Sequence, residues 1–109
     1  MLPARNRLKL YREVEAVKSE GVAKNSKNFV VLSKKSTRPE SRFAFVVSTN
    51  VSKKAVARNR IRRASRDAVR ALLPTMAVKR DFLIIARPSA VGVDRKTLMS
   101  ELAVLLSRA

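Results

Sequence analysis

From Lys53 to Arg70 the chain carries eight basic residues and a single acid, Asp67. Read as a helix at about 100° per residue, Arg58, Arg62, Arg66 and Arg70 step at i, i+4 along one side, with Asn59 and Arg63 beside them. Ala57, Ile61, Ala64, Ala68 and Leu72 fall within an arc of about 80° on another side. A guanidinium is a planar fork that can hold phosphate oxygens bidentately and keeps its charge at any relevant pH. A rigid helix fixes where each fork points, and small Ala residues beneath it allow close approach to a sheet. The pattern suits a surface that meets several phosphates at once. An ordinary solvated face alternates sign with acids at i, i+4, and here only Asp67 does so.

Other chemistries are poorly supplied. The chain has no His and no Cys, so the commonest general base and a thiolate nucleophile are both missing. Its acids, Glu13, Glu15, Glu20, Glu40, Asp67, Asp81, Asp94 and Glu101, are scattered and mostly lie beside basic residues. No catalytic constellation and no protein-held metal site is expected. Twenty-five Lys and Arg against eight acids leave a net charge of +17 on 109 residues. Such a charge repels itself in a compact state, and a nucleic acid is the natural compensating partner. No apolar run approaches the ~20 residues that span a bilayer, and the basic stretch Arg5 to Arg12 is not followed by the apolar core of a secretory signal. The expected compartment is the cytoplasm, with no membrane partner and no small-molecule substrate.

The elements that must position the basic helix follow from periodicity. The length suits a single domain over residues 1–109, and the apolar fraction of 46% supplies its core. Leu8, Tyr11, Val14 and Val17 recur every three residues and predict an amphipathic helix that Gly21 ends. Asn28 to Ser33 reads as a strand, Ser36 to Ser41 as a turn, and Arg42 to Ser48 as a second strand, hairpin-paired with the first. The basic helix runs from about Lys53 to Leu73 and stops at Pro74. Asp81 to Ala86 is apolar enough to be a central strand. Asp94 is placed to cap a last helix that buries Leu98, Leu102, Leu105 and Leu106. The order is α-β-β-α-β-α, with a further short strand possible near Val22: an α/β (α+β) sandwich with the basic helix on a small mixed sheet.

The run Ala55-Val56-Ala57-Arg58-Asn59-Arg60-Ile61-Arg62-Arg63 resembles the Arg-Asn-Arg signature of the bacterial ribonuclease P protein family. Arg5-Asn6-Arg7-Leu8, the pair Lys53-Lys54 and the strand Asp81 to Arg87 stand at family-like separations, so the resemblance covers Arg5 to about Leu106. It implies a left-handed β-α-β crossover, against the usual right-handed rule. It also implies a catalytic RNA partner, ribonuclease P RNA, which removes the 5′ leader from precursor transfer RNA using Mg²⁺ held mainly by the RNA, with one protein per RNA. Carried onto this chain, Lys53, Lys54, Arg58, Asn59, Arg60, Arg62, Arg63, Arg66 and Arg70 are the expected RNA-binding residues, with Arg5 and Arg7 as an N-terminal basic pair.

Two departures from the family pattern stand out. Thr49-Asn50 occupies the place where many members have a basic pair. The family cleft for the leader commonly carries aromatics, whereas the matching positions here are Val14, Lys18 and Leu32. Tyr11 and Phe29 complete the candidates for that cleft, although packing inside the fold is the plainer role for both. The main competing function is a ribosomal or RNA-chaperone-like binding protein with no processing role. A DNA-reading helix lacks a preceding turn-helix here, and a stand-alone nuclease lacks its side chains.

Overall fold

The computed structural model describes residues 2–36, 38–76 and 79–107. It contains α1 (Tyr11–Glu20), β1 (Val22–Asn25), β2 (Phe29–Lys35), β3 (Arg42–Val46), α2 (Ala55–Leu72), β4 (Arg80–Ala86) and α3 (Arg95–Ser107), with three short 3-10 turns. The strand near Val22 is therefore real, and the other elements fall where periodicity places them. Of the expected turn, Thr37 lies outside the described residues.

The strands form one sheet in the order β1-β2-β4-β3. β2 pairs antiparallel with β1 on one side and with β4 on the other, and β3 lies parallel to β4. This corrects the expected hairpin, because β4 separates β2 from β3. The reason lies in β4 itself: Phe82, Leu83 and Ile84 point alternately to the two faces and are at most 1% exposed. A strand apolar on both faces is stable only inside a sheet covered on both sides. It takes the interior position and leaves β3 at the edge. The parallel pair β3 and β4 is joined through α2, as a β-α-β unit.

Two cores result. On one face Phe29, Val31, Phe43, Phe82 and Ile84 cluster with Ile61, Ala64, Ala68 and Val69 of α2 and with the four expected leucines of α3. The rings of Phe43 and Phe82 stack with centroids 4.9 Å apart. On the other face α1 and the segment before it pack Val17 and Leu8 on Leu83. Val14, Leu32, Ala44, Val46 and Ile85 are only half-buried around that second cluster, so α1 leaves part of the sheet face open.

The ends of the helices show how the chain is steered. Asp94 caps α3 as expected, its carboxylate accepting from the Thr97 backbone N at 3.2 Å and the Thr97 hydroxyl at 2.6 Å. Gly21 ends α1, but with φ −77° and not in the left-handed cap conformation. A Cβ there would lie 2.4 Å from the Val17 carbonyl oxygen and 2.9 Å from that of Ser33. Close approach of α1 to β2 requires this glycine.

Candidate nucleic-acid interface

Helix α2 buries Ile61, Ala64, Ser65, Ala68 and Val69. Ala57 and Leu72, expected on that face, are half-buried, while Ser65 and Val69 extend it on one flank. The Ser65 hydroxyl donates to the Ile61 carbonyl at 2.8 Å, which makes a buried polar residue tolerable. A row stepping at i, i+4 drifts about 40° per step on a 3.6-residue helix. The arginine row therefore begins on the flank of the buried face at Arg58 and reaches open solvent at Arg66 and Arg70.

The consequence is a difference among the arginines. Arg58 is half-buried and its Nη1 donates to the Ser52 carbonyl at 2.8 Å, tying α2 to the loop before it. Arg62 donates from Nη1 to Asn59 Oδ1 at 2.8 Å, so its guanidinium is pre-oriented. Lys53, Lys54, Asn59, Arg60, Arg63, Arg66 and Arg70 are exposed. Ion pairs among the described residues join Lys18 to Glu15, Lys34 to Glu20, Arg42 to Glu13 and Asp81, and Arg95 to Asp67. None involves a basic residue between Lys53 and Arg70. The ridge has two sides: Arg62 and Arg66 line a groove with Arg7 and Lys9, and Asn59, Arg60 and Arg63 line another with Arg95.

The N-terminal segment is held beside the ridge. Asn6 is buried, donating from Nδ2 to the Ser41 carbonyl at 2.8 Å, and the Leu8 backbone N donates to the Phe43 carbonyl at 2.8 Å. Arg7 forms a parallel bridge with Phe43 at the edge of β3, and Arg5 is exposed on the turn before it. Lys9 was not among the residues expected from sequence. The alternation Arg7-Leu8-Lys9 about a buried Leu8 is the period-2 signal that marks it.

The expected cleft residues divide. Val14 and Leu32 are half-buried beside α1, and Lys18 is exposed, 3.4 Å from Glu15. Tyr11, Val14 and Lys18 stand at i, i+3 and i+7 on one side of α1. Tyr11 is 79% exposed, which corrects the expectation that it packs inside the fold. Phe29 is fully buried with α2 and α3, on the face opposite α1, and cannot line this cleft. Residues 29 and 32 differ by an odd number, so in one strand their side chains must point to opposite faces.

Acids with defined partners are structural. Glu101 of α3 accepts from the Ser26 hydroxyl, from the Asn28 backbone N at 2.8 Å and from Asn28 Nδ2 at 2.7 Å. Burial would raise its pKa, but these bonds and nearby Lys27 hold it below the ordinary value of 4.5. Among the described residues no group of three or more His, Cys, Asp or Glu side chains could hold a metal ion. No helix among them is long and apolar enough to cross a membrane.

An α/β fold with an arginine ridge whose cations take part in no ion pair among the described residues defines a polyanion-binding protein. The family pattern of ribonuclease P matches residues 2–109, and the chain belongs to the ribonuclease P protein family. The ribonuclease P protein component of Microcystis aeruginosa is 36% identical over 99% of this chain and 93% of that protein. That of Brevibacillus brevis is 35% identical over 95% of this chain and 82% of the other. Among solved structures, the Thermotoga maritima RNase P protein superimposes with a TM-score of 0.85 at 30% identity, covering 94% of this chain and 96% of that one. The Staphylococcus aureus RNase P protein gives 0.86 at 23% identity over 94% of each chain, a likeness of fold. The chain is thus an RNA-binding subunit of an endoribonuclease of transfer RNA processing.

Proposed function

We propose that the ridge of α2 binds ribonuclease P RNA and that the half-open sheet face beside α1 receives the 5′ leader of precursor transfer RNA. The observation that carries the first part is the set of basic side chains from Lys53 to Arg70, most of them exposed and none in an ion pair among the described residues, presented on α2 and the loop before it. Arg60, Arg62, Arg63, Arg66 and Arg70 supply charge-assisted contacts to phosphate, and Asn59 a neutral donor. Arg58 contributes by fixing the loop that carries Lys53 and Lys54. In the leader cleft, Val14, Leu32, Val46 and Ile85 give an apolar floor and Lys18 a charge. Tyr11 is the exposed aromatic on the same side of α1.

The protein's acids do not fit a resident Mg²⁺: Glu13 and Asp81 are committed to Arg42, and Glu101 to Ser26 and Asn28. In this reading the ion sits on the RNA, and the protein folds that RNA, neutralises phosphate and holds substrate. One protein per RNA, acting in the cytoplasm, completes the proposal.

The test is the salt dependence of binding to ribonuclease P RNA. With roughly five to eight phosphates neutralised, log affinity falls against log salt with a slope of about −4 to −7. A slope near zero would contradict contact between ridge and phosphate.

A further inference from the structure

Asp67 is the one acid between Lys53 and Arg70, and at helical spacing its charged neighbours on α2 are Arg63 at i−4 and Arg70 at i+3. Both arginines are exposed, and neither takes part in an ion pair among the described residues. Asp67 turns instead to Arg95, the first residue of α3, whose Nη2 lies 2.5 Å from Oδ2. Arg95 is brought there by the fold. Asp94 caps α3 through Thr97, while Leu98, Leu102, Leu105 and Leu106 pack in the same core as Ile61, Ala64, Ala68 and Val69 of α2. Arg95 also lines, with Asn59, Arg60 and Arg63, a groove of about 440 Å³ that no carboxylate lines.

Helix α3 alone does not account for an arginine at this place. A cation in the first turn faces the positive end of the helix dipole, where an acid is preferred. Stability does not account for it either, because an ion pair whose side chains are 57% and 30% exposed is well solvated and adds little. What the pair changes is the charge that the ridge presents. We propose that Arg95 is a positioning residue for RNA binding, which holds Asp67 and so leaves Arg63 and Arg70 free for phosphate. Without Arg95 the carboxylate keeps only those two arginines as charged neighbours at helical spacing. It would draw one of them into an i, i+4 or i, i+3 pair, and its own charge would repel phosphate on that side. The proposal rests on the reading of α2 as the RNA-binding ridge, and it assigns a part in that ridge to a residue of a different helix.

The test is a double-mutant cycle on the intact protein, with Arg95→Ala, Asp67→Asn and both together, read as binding to ribonuclease P RNA and to polyuridylate of matched length. Arg95→Ala should weaken binding to either RNA about two- to fivefold, the scale of an exposed charge pair, and leave the melting temperature unchanged. Asp67→Asn should bind at least as tightly as the parent, and adding Arg95→Ala to it should cost far less than in the parent. Lys96→Ala, which removes the same charge one residue away, should change binding less than Arg95→Ala. An equal loss from Arg95→Ala in both backgrounds would overturn the proposal, because Arg95 would then act on the RNA itself. No loss from Arg95→Ala, or an equal loss from Lys96→Ala, would also overturn it. Coupling between Arg95 and Asp67 on both RNAs, with no preference for ribonuclease P RNA, would count against the partner proposed for the ridge and still uphold the masking of Asp67.

Discussion

Arg42 and Asp81 form a two-pronged ion pair across neighbouring strands, with Nε donating to Oδ1 at 2.9 Å and Nη2 to Oδ2 at 2.8 Å. The remaining nitrogen, Nη1, lies 2.9 Å from Glu13 Oε2 on α1. One guanidinium therefore joins β3, β4 and the helix that covers them. Hydrogen bonding to Asp81 raises the Arg42 pKa despite its burial, so the charge persists.

Breaking this pair strands a buried charge. Asp81→Ala should cost about 3–5 kcal/mol, and Glu13→Gln, at the more open partner, about 1.5 kcal/mol. Chemical denaturation of the two variants checks the order. If Glu13→Gln proves the more damaging, the sheet pair is not what anchors Arg42.

The faces of α2 make a separate prediction. Arg66→Ala should weaken RNA binding by about 1.5–3 kcal/mol and leave the melting temperature unchanged, because its side chain is exposed. Arg58→Ala should lower both affinity and stability, since it also loses its bond to the Ser52 carbonyl. Ile61→Asp should unfold the protein by burying a charge beneath the helix. Thermal melts in which Arg66→Ala is the destabilising variant would mean that the assigned faces are exchanged.

These differences show what was legible in the sequence. The basic helix, the central strand at Phe82 to Ile84 and the leucines of α3 follow from periodicity, because burial on a helix or strand repeats at a fixed spacing. The pairing of β3 did not follow, because strand neighbours depend on which strand must be buried on both faces. A row of arginines every four residues looks uniform in sequence. The 3.6-residue turn makes Arg58 a flank residue and Arg66 a surface one. Tyr11 was misplaced because its three-residue rhythm with Leu8 and Val14 suggests packing, yet the helix begins at Tyr11 itself and Leu8 precedes it.

Acid should loosen the junction between α3 and the β1–β2 turn. The folded pKa of Glu101 is below its ordinary 4.5, so the unfolded chain takes up the proton first. Its contribution is complete above about pH 5 and is lost as pH falls through the folded value. Asp94, held low by its bonds to Thr97, acts in the same direction. In Glu101→Gln, denaturation between about pH 5 and pH 3 should show a shallower loss of stability than the parent. An unchanged slope would remove Glu101 as the cause.

Leader contact can be separated into charge and stacking. Base-aromatic stacking is worth about 1–3 kcal/mol per base, and a lysine reads no sequence. Lys18→Ala should weaken binding of every leader alike, whereas Tyr11→Ala should weaken binding in proportion to base stacking strength. Substrates with long, short and scrambled leaders distinguish them. If neither variant changes leader affinity, the leader does not cross the open face beside α1.

The most direct measurement is 5′-leader removal from precursor transfer RNA by ribonuclease P RNA at physiological Mg²⁺, with and without this protein. The account predicts no cleavage by RNA-free protein, weak cleavage by the RNA alone, and strong cleavage by the two together, reduced when Arg62, Arg63 and Arg66 are replaced by Ala. Cleavage by the RNA-free protein, or reconstitution indifferent to those arginines, would contradict it.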